Sequence, residues 1–128
     1  MVVVLDHVDL DNNLNGLRVF GSNSTGTIPV TIANSVSRKN QFLGIASVSG
    51  IAAATTLVTV RDCTIASNGG AGLQANGTTA TLPMTRSTIA GNVTGVQAAN
   101  SAQLISFGDN SLAGNTTDGA PSGTITLQ

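Results

Sequence analysis

Tryptophan, tyrosine and glutamate are missing from this chain of 128 residues, and cysteine occurs once. Charged residues make up 9% and aromatics 2%. Each shortage removes a class of protein. A disordered chain carries more charge and fewer aliphatic residues, and a coiled coil needs Leu heptads flanked by Glu and Lys. Nucleic-acid binding draws on clustered basic residues, whereas Arg18, Arg38, Lys39, Arg61 and Arg86 are dispersed with no aromatic stacking platform between them. The net charge of −1 argues against any strongly ionic partner. No apolar run approaches the ~20 residues of a membrane helix, and Val2-Val3-Val4-Leu5 lacks the length and basic flank of a signal peptide. A lone Cys63 forms no internal disulfide, so it leaves the redox compartment open.

What the chain does have is a repeat. Asn12, Asn40, Asn68, Asn92 and Asn115 lie 28, 28, 24 and 23 residues apart, and each stands three or four residues before a glycine. Those glycines are Gly16, Gly44, Gly72, Gly95 and Gly119, each leading into an aliphatic residue. Eight residues before the asparagines stand Val4, Ile32, Val60, Met84 and Phe107; ten before stand Val2, Val30, Val58, Leu82 and Ile105. Both columns are wholly apolar, and their spacing of two is the strand period. A period of this length is the mark of a solenoid, in which one repeat cannot bury its apolar face alone.

No linker divides the chain, so residues 1–128 are read as one domain with repeats at approximately 2–29, 30–57, 58–81, 82–104 and 105–128. Each repeat offers three short strands rich in Val, Ile, Leu and Thr, joined by Gly, Asn and Ser turns. About five coils stacked in parallel make a rod ~25 Å long. The asparagine column then becomes a ladder, since its amide both donates and accepts between coils. Pro83, between two inward residues, is expected to disturb pairing for want of an N–H. The left-handed hexapeptide alternative needs an apolar residue every six positions, and this chain lacks that pattern.

The segment Val58-Thr-Val-Arg-Asp-Cys-Thr-Ile-Ala-Ser-Asn68, followed by Gly72-Leu73, resembles right-handed parallel β-helix repeats of the pectate-lyase-like superfamily. Gly108 to Gly119 resembles the C-terminal end of uncharacterised bacterial β-helix proteins. The resemblance covers nearly the whole chain. It implies an all-β, right-handed parallel β-helix, and it favours a secreted or cell-envelope location. If the chain were an enzyme, the resemblance implies a polysaccharide lyase or glycoside hydrolase. Family members usually carry a capping helix at the N-terminal end of the rod, and nothing before Val2 supplies one. Exposed strand edges invite pairing with another chain, so truncation or end-to-end association is expected.

Candidate chemistry is sparse. Asp62 and Arg86 share a column six before the asparagine with Asp6 and Asn34, and Arg61 adjoins them; the expectation is a surface ion pair between coils. His7, Asp9 and Asp11 project together if Val8 and Leu10 point inward, an arrangement able to hold a divalent ion but read here as charge that guards a terminal edge. Asp109 and Asp118 are read as turn formers and not as a hydrolytic pair. Cys63, in a column with His7, Ser35, Ser87 and Asn110, is read as a small packed residue. Phe20, Phe42 and Phe107 are too few to stack sugars, with Phe107 assigned to the core. Thr25, Thr27, Thr55, Thr56, Thr79 and Thr81 are expected to fall in loops of unequal length, out of register for a flat threonine face.

The sequence therefore assigns no catalytic, cofactor or metal residue. Its functional reading is a non-enzymatic structural or binding β-solenoid that self-associates through exposed coil ends. The rival is a polysaccharide-binding or polysaccharide-degrading protein.

Overall fold

The computed structural model describes residues 2–21, 25–50 and 54–126. The first coil holds β1 (Val3–Asp6), β2 (Asp9–Asp11) and β3 (Leu17–Gly21). The second holds β4 (Thr27–Ala33), β5 (Val36–Arg38) and β6 (Ile45–Ser49). In the third are β7 (Thr55–Arg61), β8 (Thr64–Ala66) and β9 (Ala71–Asn76), and in the fourth β10 (Ala80–Thr85), β11 (Thr88–Ala90) and β12 (Thr94–Ala99). The chain finishes with β13 (Gln103–Ser106), β14 (Ser111–Ala113) and β15 (Gly123–Thr124). Among the described residues there is no helix. Three parallel sheets result, ordered β1-β4-β7-β10-β13-β15, β2-β5-β8-β11-β14 and β3-β6-β9-β12.

This is a parallel β-solenoid of about four turns with three strands per coil. The sequence leads one to expect about five turns; the fifth coil lacks a third strand, and Thr117 makes only an isolated bridge to Thr94 there. The strands form because their residues alternate inward and outward, as the burial of β7 and β10 shows residue by residue. Around the middle coils the interior is sealed: Ile32, Ile45, Val58, Val60, Ile65, Leu73, Leu82 and Ile89 are fully enclosed. Each such side chain contributes about 1.5–3 kcal/mol.

The interior rows differ from expectation at both ends. They run Val3-Val30-Val58-Leu82-Leu104 and Leu5-Ile32-Val60-Met84-Ser106, with β10 bridging the third and last coils. Val2 and Val4 instead lie outside, 73% and 63% exposed. The reason lies at the bend after β2: Asn12 takes the left-handed place of Lys39 (φ 60° and 53°), so Asn13 and not Asn12 is the residue opposite Asn40, and the first coil shifts by one. At the other end Met84 lies opposite Ser106 but Thr88 opposite Ser111, so one extra residue sits in the intervening bend. Ile105 and Phe107 are thereby turned out of the core, and a serine completes the row. Pro83 behaves as its missing N–H requires. Pairing of β10 with β7 runs through Ala80, Thr81, Met84 and Thr85 and lapses at Leu82 and Pro83.

Candidate functional site

Two repeated bends place most of the polar side chains. Between the first and second sheets, His7, Asn34, Asp62, Arg86 and Gly108 adopt φ of 54°, 50°, 53°, 45° and 80°. Between the second sheet and the ladder, Asn12, Lys39, Ser67, Gly91 and Gly114 do the same. Left-handed backbone costs an ordinary residue about 1–2 kcal/mol, so these bends hold only because the strands on either side fix them. One corner of the rod thus carries a polar or charged side chain at this position in each of the first four coils, with Asp109 following Gly108 in the fifth.

Along that corner Asp62 and Arg86 form a two-pronged ion pair, with Arg86 Nε donating to Asp62 Oδ1 at 2.8 Å and Nη2 to Oδ2 at 2.9 Å. Asp109 lies in the next coil, accepting the Thr85 hydroxyl at 2.6 Å and the Arg86 N–H at 3.1 Å. In the first two coils Asp6 accepts the Asn34 amide at 2.8 Å and sits 3.0 Å from His7 Nδ1. Arg38 lies 3.3 Å from Asp11 and 3.6 Å from Asp9. The Arg86 guanidinium holds the Asp62 carboxyl below the usual range. The Asn34 amide, aided by His7, does so for Asp6, and the Thr85 hydroxyl for Asp109.

The column assignment is corrected here. His7, not Asp6, is the residue aligned with Asn34, Asp62 and Arg86. Val8 takes the place assigned to His7 beside Ser35, Cys63, Ser87 and Asn110, and donates its N–H to Ser35 Oγ at 3.0 Å. Asp9 and Asp11 share Arg38 while His7 turns to Asp6, so the three do not converge on a common point. Among the described residues no cluster of His, Cys and Asp is placed to hold a metal. Cys63 is buried with its Sγ 3.1 Å from the Arg61 carbonyl oxygen, and burial pushes its thiol up. Asp109 belongs to this corner and Asp118 to the ladder.

Inside the second bend stands the asparagine ladder. Asn40 Nδ2 donates to Asn68 Oδ1 at 2.9 Å, Asn68 Nδ2 to Asn92 Oδ1 at 2.9 Å, and Asn92 Nδ2 to Asn115 Oδ1 at 3.0 Å. Each amide also donates downward, to the carbonyls of Leu10, Ser37, Ile65 and Ile89 in turn. Every oxygen of Asn68, Asn92 and Asn115 accepts in addition the backbone N–H of the preceding asparagine. Buried amides so placed have all their donors and both lone pairs engaged.

The glycines serve this ladder. A Cβ at Gly44 would lie 2.5 Å from the Gly72 carbonyl oxygen and 2.8 Å from Asn68 Nδ2. Gly16, Gly72 and Gly95 meet equivalent obstacles. The fifth position is not Gly119, as the sequence alignment has it, but Asp118, whose carbonyl oxygen obstructs Gly95. The signal was available: Gly95 follows Asn92 by three residues, and Asp118 follows Asn115 by three.

Threonines on the first sheet also depart from expectation, since Thr27 faces Thr55 and Thr31 faces Thr59 within paired strands. The array is broken by Pro29 opposite Leu57 and by Pro83 opposite Ile105. Phe20 and Phe42 are about half exposed, and the Arg18 guanidinium stacks 4.8 Å over the Phe20 ring. No protein-family model, curated protein or solved structure matches this chain.

Proposed function

We propose that this chain is a non-enzymatic structural or binding β-solenoid, one that associates through exposed coil ends and turns over no substrate. The observation that carries the reading is that each of the six aspartates has at least one oxygen engaged by a side chain of the protein, although Asp11 Oδ1 has no partner. Asp6 is held by Asn34 and His7, Asp9 and Asp11 by Arg38, Asp62 by Arg86, Asp109 by Thr85, and Asp118 by Asn115. Acid–base work on a glycan needs carboxylates facing a groove with their protons free to move. Five of the six reach a partner in a neighbouring coil, Asp118 being held within its own, and such contacts fix register instead. Kinship with the pectate-lyase-like β-helices belongs to the same proposal, supported by the asparagine ladder and its glycines. The test is incubation with polygalacturonate and with alginate, following ultraviolet absorbance of unsaturated sugars, release of reducing ends and retention on the immobilised polymers. No signal above a protein-free control is expected. Activity or retention abolished by Asp62→Asn overturns the proposal in favour of the polysaccharide reading.

A further inference from the structure

Apart from the coil ends, we infer that the outer face of the first sheet docks a second copy of this chain, the two rods lying side by side with their long axes parallel. In the middle coils β4, β7 and β10 turn Pro29 and Thr31, Leu57 and Thr59, and Thr81 and Pro83 outward, so that two columns run along the face. All six are half-buried, none belongs to the core, and none is charged. The inward residues between them, Val30, Val58 and Leu82, are buried. The nearest charge on these strands is Arg61, exposed at the rim where the face meets the polar corner.

Apolar side chains on a flat sheet are covered in proteins by a second sheet about 10 Å away. A two-fold pair presents the same patch from both sides, and charge decides how the copies turn. An axis along the strands would bring Arg61 against Arg61 of the second copy, which like-charge repulsion opposes. An axis along the rod instead exchanges the two columns about Val30, Val58 and Leu82. Leu57 then lies over Thr59 of the second copy, Pro29 over Thr31 and Pro83 over Thr81, while Arg61 falls at the rim over Thr55. Leu57 thereby meets the shorter threonine and not a second leucine, which keeps the gap between the sheets even. Five strands at ~4.8 Å, each of about five residues at ~3.3 Å, hide on the order of 1,000 Å² in total. That is the low end for a specific contact, and burying threonine hydroxyls costs part of the gain, so the pair is a reversible one.

Sedimentation equilibrium on the unmodified chain across a wide concentration range should show a step from 12.7 kDa to twice that value. Leu57→Lys sets two ammonium groups beside the axis and Thr59→Asp two carboxylates, so each alone should weaken the dimer at least ~tenfold. In dilute solution both variants should unfold cooperatively in urea as the unmodified chain does, because both positions face outward. Mixed in equal amounts the two should regain the dimer, since the two positions face each other across the pair. Equal association by the unmodified chain and both variants overturns the face contact and leaves coil-end association standing. A mass of 12.7 kDa at every concentration overturns both. A mixture that fails to pair overturns the facing of Leu57 and Thr59.

Discussion

Asn115 Nδ2 lies 2.8 Å from Asp118 Oδ1, the bond that Asn40, Asn68 and Asn92 each make to the next asparagine. A carboxylate therefore closes the ladder, standing where the lower coils have glycine. Among the described residues no further asparagine is stacked above it to collide with a Cβ.

Removing a middle rung should cost far more than removing this terminal cap. In Asn68→Ala the Ser37 carbonyl, the Asn92 oxygen and both donors of Asn40 lose a partner. At about 1–3 kcal/mol for each group left unsatisfied in the interior, the loss should be at least ~3 kcal/mol. Asp118→Ala frees an exposed amide hydrogen to meet water and should cost about 1 kcal/mol or less. Urea unfolding monitored by circular dichroism measures both.

Gly44→Ala should destabilise by ~2–3 kcal/mol or more, because its Cβ meets a backbone carbonyl that cannot move aside. Gly123→Ala is the control: nothing lies within 4 Å of its Cβ. It should be neutral or stabilising by up to ~1 kcal/mol through loss of unfolded-state freedom. Paired denaturation midpoints decide the comparison.

Neighbouring aliphatic residues on opposite faces should respond unequally. Ile32→Ala empties a fully buried position and should cost about 2–5 kcal/mol. Val4→Ala, at an outward position, should stay within ~0.5 kcal/mol.

Acid should weaken the charged corner. The carboxyls of Asp6, Asp62 and Asp109 are held below their usual 3.8 by Asn34, Arg86 and Thr85 respectively. A depressed folded-state value means the stabilisation is complete above the unfolded value and is lost as pH falls through the folded one. The urea midpoint should hold down to about pH 4 and then decline. In Asp62→Asn that decline should be shallower, which a pH series of unfolding curves will show.

The middle of the rod was legible in the sequence and its ends were not. Asn40, Asn68 and Asn92 with their glycines, and Ile32, Val60 and Met84, each occur where coil stacks on coil, so burial and hydrogen bonding constrain residue type from both sides. Terminal coils are constrained from one side only. There Val2, Val3, Val4 and Leu5 are all apolar, and alternation cannot say which two face inward. Asn12 and Asn13 are adjacent, so the ladder residue cannot be told from the bend residue by type alone. At the far end, an extra residue in the bend before Ser111 changes register without any compositional trace. The ladder and the Asp62–Arg86 pair were legible, but the Asp118 cap and the Ser35, Ser87 and Asn110 acceptors were not, because they depend on which residues become neighbours in space.

Nuclear Overhauser effects among methyl and aromatic protons on selectively labelled protein probe the stacking of coils most directly. Cross-peaks should link Leu5 with Ile32, Ile32 with Val60, and Val60 with Met84, while Val4 and Phe107 remain outside the series. Cross-peaks joining Val4 to Ile32 and Phe107 to Met84, with none from Leu5, would contradict the register on which the ladder and both coil ends have been interpreted.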